Sequence, residues 1–162
     1  MKPFIGIKKI WYGDVITAAV TKTSLKTWLG TATEVENSHQ DTWAYTEDDP
    51  TYTDYINELN GSIYYRDVTQ KGAKTIAFTM GVFSFDDKVE LEGGEKIDTD
   101  AGWSSSDTPG IVNKAIVGQT KTGNYIVFTN AAVIAKGNAV EKNIGLGVTA
   151  VAMENPNTGV KS

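Results

Sequence analysis

The sequence predicts a mostly β protein, an antiparallel β-sandwich or partly closed barrel, and three observations carry that prediction. Val, Ile, Thr, Tyr and Phe dominate the ordered-looking segments, and these residues fit a half-buried pleated surface better than a helix. Several segments alternate apolar and polar residues with a period of two, as a strand with one covered face does. Turn signatures built on Gly, Asn and Asp recur between them at the spacing of sandwiches and barrels.

In chain order, segments 5–11 and 15–20 predict a first hairpin across Tyr12-Gly13-Asp14. Residues 53–59 are ambiguous, because Tyr55, Ile56 and Leu59 have helical spacing while Asn60-Gly61 signals a hairpin turn. Gln70-Lys71-Gly72 precedes the clearest strand, residues 74–80, which puts Ile76, Phe78 and Met80 on one face and Thr75, Ala77 and Thr79 on the other. One short helix is predicted at about residues 86–92, capped by Ser84 or Asp86 and ended by Gly93-Gly94. Segments 111–118 and 125–135 pair as a hairpin across Lys121-Thr122-Gly123-Asn124. The continuous apolar run in the second predicts cover on both faces, with Lys136-Gly137-Asn138 as the turn after it. In the last strand Ile144, Leu146, Val148, Ala150 and Ala152 share a side, and Gly145 and Gly147 predict close approach by another backbone. Polar stretches 36–53 and 93–110 are expected as long loops. The domain spans 1–154, and residues 155–162 form a polar tail expected to fray.

With 162 residues, 40% of them apolar and 22% charged, the chain has the composition of one globular domain able to fold without staples. The absence of cysteine removes disulfides, thiolate metal sites and a cysteine nucleophile together. Lys8 and Lys9 interrupt the only apolar start, so no secretory signal is expected, and no stretch approaches the roughly 20 apolar residues of a membrane-spanning helix. A net charge of −5, with 15 Lys and Arg dispersed along the chain, lacks the footprint of a nucleic-acid-binding surface.

A search for chemistry finds no catalytic set. His39 is the single histidine, in a polar loop between Ser38 and Gln40. Gly102-Trp103-Ser104 lacks the second glycine of a hydrolase elbow, and Gly145-Leu146-Gly147 lies within a strand pattern instead of opening a helix. Asp98-Thr99-Asp100 is a fragment of a calcium-loop pattern without the closing glutamate, which leaves a weak cation site open and a solvated loop as the expectation. Asp86-Asp87 and Asp48-Asp49 fit capping and turn chemistry better than paired catalytic carboxylates. No catalytic, cofactor-binding or metal residue is assigned, and the chain is expected to be neither an enzyme nor a cofactor carrier.

The aromatic residues are more informative. Trp43, Tyr45, Tyr52 and Tyr55 cluster in or beside the acidic loop that carries Asp48 and Asp49, and Trp103 lies in the second long loop. Aromatic side chains in polar loops suggest a contact surface, so these seven residues are the candidate assembly residues. Trp43 and Tyr45 have an equal claim to a core-packing role on a strand entering the loop.

The run Asp48-Asp49-Pro50-Thr51-Tyr52-Thr53-Asp54-Tyr55, then Ile63-Tyr64-Tyr65-Arg66-Asp67, a strand from Lys74, a helix near Asp86 to Leu91 and a closing strand ending at Met153 resembles phage tail tube (major tail) proteins. The resemblance implies a small β-sandwich or barrel whose copies stack as hexameric rings in the virion tail, assembled in the host cytoplasm. It also implies self-contacts, tape-measure, baseplate or tail-tip and terminator partners, no membrane, and DNA passing without specific binding. A negative subunit suits that passage, since like charge keeps phosphates from sticking. Two alternatives stay open. One is a carbohydrate- or ligand-binding β-sandwich that stacks its ligand on Trp43, Tyr45, Tyr52 and Trp103. The other is an inner-tube or adaptor protein of a related contractile injection system.

Overall fold

The computed structural model describes residues 1–99, 101–108 and 110–162. The first half runs β1 (Lys9–Gly13), α1 (Lys22–Thr31), β2 (Thr33–Glu34), β3 (Ala44–Glu47), β4 (Thr51–Asn57), β5 (Ser62–Gln70) and β6 (Lys74–Met80). The second runs α2 (Phe85–Glu92), β7 (Glu95–Ile97), β8 (Gly102–Ser104), β9 (Val112–Gln119), β10 (Tyr125–Val140) and β11 (Asn143–Ala152). Strand makes up 46% and helix 11%, so the protein is mostly β. Seven strands form one antiparallel sheet in the order β2-β1-β9-β10-β11-β6-β3, and β4–β5 and β7–β8 form two separate ribbons. The sheets do not close into a barrel.

The core lies on one face of the large sheet. Ile76, Phe78 and Met80 of β6 stand opposite Ala150, Val148 and Leu146 of β11, and all six are buried. The same face continues through Val133 and Phe128 of β10 to Ile116 of β9 and to Ile10 and Tyr12 of β1. Fully burying each large aliphatic or aromatic side chain contributes about 1.5–3 kcal/mol. Leu91 of α2 covers this face with no exposed surface, and Ile7, Val35, Trp43 and Phe83 pack around it.

Most of the predicted strands form, and the departures have local causes. Residues 15–20 are not a strand, because β1 takes β9 and the two-residue β2 as its partners. The chain instead leaves Gly13 with Ile16 buried, its amide donating to Thr129 O, and enters a second helix where one was expected. Thr21 and Ser24 form a reciprocal capping box for α1. Leu25, Trp28 and Leu29, at helical spacing, are half-buried, and Trp28 Nε1 donates to Asp14 O at 2.8 Å. The predicted short helix is α2, capped by Ser84 and not Asp86, with Asp86 and Asp87 in the favourable first turn and Gly93 closing it at φ 91°.

No turn occurs at Lys136-Gly137-Asn138. There β10 continues to Val140, with Gly137 paired to Leu146 and Asn138 to Gly145, and the chain reverses at Glu141 (φ 51°). Cover on both faces holds for the buried run 128–131 but not for Ile134, which is 66% exposed. The predicted close approach at the last strand is present: a Cβ on Gly145 would lie 2.8 Å from Met80 O. The loops 36–53 and 93–110 contain β3, and β7 with β8, respectively. The C-terminal tail, expected to fray, is pinned. Asn155 and Val160 are buried, Asn155 Nδ2 donates to Ile16 O at 2.8 Å, and Thr129 Oγ1 donates to Lys161 O at 2.8 Å.

Candidate functional site

Beyond the sheet, β4 and β5 extend the β3–β6 hairpin as an arm. The two inner strands pair as far as Glu47 and Lys74, and Asp48 N then donates to Ala73 O at 2.9 Å. Past this rung the two segments cross in contact, since a Cβ on Gly72 would lie 1.6 Å from Asp48 O. Only glycine fits that crossing. The arm then pairs from Thr51 opposite Gln70 to Asn57 opposite Ser62, with two register shifts. At its end Asn57 Oδ1 accepts from Leu59 N, Asn60 Oδ1 accepts from Ser62 N, and Gly61 takes φ 70°. The ambiguity at residues 53–59 is therefore resolved in favour of the Asn-Gly hairpin.

The arm is rich in apolar surface and shares none of it with the core. Arg66 donates to Asp54 through Nε at 2.6 Å and Nη2 at 3.0 Å, and its guanidinium lies 3.9 Å from the centre of the Tyr52 ring. The bond to Asp54 holds Arg66 above even its ordinary high pKa. Tyr55 and Tyr65 pair across the strands at 5.7 Å between ring centres, and Ile56 stands opposite Ile63. Tyr64 is 70% exposed and Leu59, at the turn, 95%. An isolated two-stranded hairpin is only marginally stable in water, and this one leaves much of its apolar surface exposed.

The seven candidate residues separate into groups. Tyr52 and Tyr55 lie on the arm, and Asp48 and Asp49 are exposed at its root. Tyr45, on the edge strand β3, is 41% exposed, with its ring 6.3 Å from Phe128; burial and then Glu47 push its phenol pKa up. Trp43 packs on the core, stacked 6.4 Å from Phe78. Trp103 belongs to the α2 cap: its Nε1 donates to Gly93 O at 2.8 Å, and Lys88 Nζ lies 4.1 Å over its ring. Missing from the candidate set are Ile56, Ile63, Tyr64, Tyr65 and Val68, which complete the arm's surface. The signal for them was present, as aromatic and β-branched residues flanking Asn60-Gly61 on both sides.

Acidic residues gather at one cleft, where most of them are engaged. An open cleft of about 600 Å³ is lined by Tyr12, Asp14, Glu34, Glu36, Asp86, Asp87 and Glu90 among others. Within it Glu34 pairs with Lys9 at 2.9 Å, Asp86 pairs with Lys96 at 2.6 Å, and Glu90 pairs with Lys114. Asp87 accepts from Ser84 and from the Tyr12 hydroxyl, and burial together with that carboxylate holds the Tyr12 phenol well above its usual pKa. Each of these four carboxylates is oriented by a hydrogen bond or ion pair. His39 uses its backbone, its amide donating to Thr79 O at 2.7 Å. Asp98 sits at φ 49° on an exposed turn, and Asp100 lies outside the described residues. Among the described residues no group of three or more acids or histidines is arranged to hold a metal.

No protein-family model matches the sequence, and a search of curated proteins finds no match.

Proposed function

We propose that the protein is a structural assembly subunit, built to stack as rings into a phage tail tube around a lumen for DNA. The observation that carries this reading is the arm, a two-stranded ribbon that leaves the domain with Tyr, Ile and Val exposed on it. Such a ribbon gains its stability from a neighbouring copy, and self-assembly needs no catalytic residue. The tape-measure, tail-tip and terminator partners, the sixfold ring and the virion location follow from the resemblance and stand or fall with it.

We assign the lumen to the sheet face opposite the core. Over β6, β11 and the adjoining half of β10 it presents Thr75, Thr149, Ile134, Asn138 and Lys136. Ala77 and Gly147 add small residues to this wall, which carries Lys136 and no carboxylate. The like-charge repulsion expected from the subunit's net charge would therefore have to come from other parts of the molecule. The competing ligand-binding reading loses two of its four stacking rings, since Trp43 and Trp103 are engaged in packing. Sedimentation and negative-stain electron microscopy of concentrated protein test the proposal. Rings or tubes are expected, and a persistent monomer would overturn it.

A further inference from the structure

We propose that Asn60-Gly61, at the turn of the β4–β5 arm, is a self-modification site, where the asparagine converts without an enzyme to aspartate and isoaspartate. This goes beyond the assembly reading and does not depend on it. The reaction needs an asparagine whose side-chain carbonyl carbon the next backbone nitrogen can reach, and a following residue with no Cβ in the way. Asn60-Gly61 is the one Asn-Gly pair in the sequence. A Cβ at Gly61 would meet nothing within 4 Å, so water and base have open space on that side of the peptide.

The turn prepares the reacting groups. Asn60 Oδ1 accepts from Ser62 N at 3.0 Å, which folds the side chain back along the Gly61 peptide. The leaving group, Nδ2, has no hydrogen-bond partner among the described residues. Gly61 N donates to Asn57 O at 2.8 Å, so the turn must open briefly before that nitrogen can attack. Opening is easy here, because the turn is exposed and ends a ribbon of two strands alone. Asn130 and Asn155 show the contrast: both are buried, with their side-chain amides donating to Glu154 O and Ile16 O. Asn155 also precedes Pro156, whose nitrogen has no proton to lose.

Water is the one co-reactant, and nothing is oxidised or reduced. Gly61 N loses its proton to hydroxide and attacks Asn60 Cγ. The N–Cγ bond forms, the Cγ–Nδ2 bond breaks, and ammonia leaves with a proton taken from water. Water then opens the succinimide ring. Cleavage of the new N–Cγ bond restores the backbone as aspartate, whereas cleavage at the main-chain carbonyl leaves Gly61 joined through the side chain as isoaspartate. Either product places a new negative charge two residues from Glu58, and the second adds a carbon to the chain path through the turn.

The test holds the full chain in warm, mildly alkaline buffer and follows its intact mass and the peptide that contains residues 57–62. The folded protein is expected to gain the mass of one amide-to-acid exchange at Asn60 before any other asparagine reacts, and faster as pH rises. The same peptide is expected to become a methyl acceptor for isoaspartyl methyltransferase. Asn60→Gln is expected to lose both signals at that peptide. Parent chain unfolded in guanidinium chloride supplies the reference rate. Folded protein whose Asn60 keeps its amide over the time in which the unfolded chain loses it would overturn the inference, as would another asparagine reacting first in the folded protein. Either result leaves the assembly reading standing, since that is decided by particle size.

Discussion

Ile76 and Ile63 both sit in antiparallel ladders, yet the first has no exposed surface and the second is 50% exposed. The difference lies in what surrounds each ladder. Ile76 is on β6, flanked by β11 and β3 on a face packed against Trp43 and the α2 cap, whereas Ile63 is on β5, which has β4 alone for a neighbour. The same residue type therefore closes a core in one region and remains exposed in the other. An apolar strand face states that it will be covered; the topology decides whether the cover comes from the same chain.

The sharpest way to separate the two regions is to truncate one side chain in each. Phe78→Ala, in the closed core, is expected to cost about 3–5 kcal/mol, seen as a large fall in the urea midpoint of the isolated subunit. At the boundary between regions, Gly72→Ala forces the Asp48 carbonyl aside; we expect about 1–3 kcal/mol of destabilisation and a larger loss of assembly, because the arm leaves at the wrong angle. Retained assembly would show that the crossing does not aim the arm.

The Tyr12–Asp87 bond ties β1 to α2 and has a defined pH signature. Folding raises the phenol pKa above its ordinary value of 10.0, so the contribution is complete below that pH and is lost progressively as pH climbs beyond it. Tyr12→Phe is expected to cost about 1 kcal/mol at neutral pH and to flatten the alkaline fall in stability, as measured by urea denaturation on either side of pH 10. The smallest expected change in stability falls in the arm. Ile56→Ser with Ile63→Ser should leave the subunit within about 0.5 kcal/mol of the parent while abolishing assembly, and a collapsed melting curve would mean that the arm is part of the core after all.

Much of the large sheet was legible in the sequence, because its strands obey local rules. The alternation at Ile76, Phe78 and Met80, the turn at Gly123 and the cap at Ser84 each depend on neighbours within a few residues. The errors arose where a distant partner decided the outcome. Val15 to Val20 has strand composition, but β9 captures β1, and the capping box at Thr21 then starts α1. Gly137 looks like a turn residue, yet pairing with Leu146 carries it through as strand. At the candidate surface, Tyr52 and Tyr55 were visible as aromatics in a polar stretch, and the helical spacing of Tyr55, Ile56 and Leu59 obscured their partners on β5. For Trp43 the sequence supports a core-packing role and a contact role equally, and the structure stacks it on Phe78; Trp103 is singled out by composition alone, which does not reveal that Gly93 lies beside it.

The crossing at Gly72 and Asp48 also has an engineering consequence. The chain leaves the sheet and re-enters it through neighbouring strands whose ends are held side by side, so everything between the two crossing points behaves as a replaceable cassette. Adding or removing rungs between Thr51 and Gln70 changes the reach of the arm at little entropic cost and leaves the register of β3 with β6 untouched. The reach of the arm is thus a dimension that can be redesigned apart from the domain that carries it.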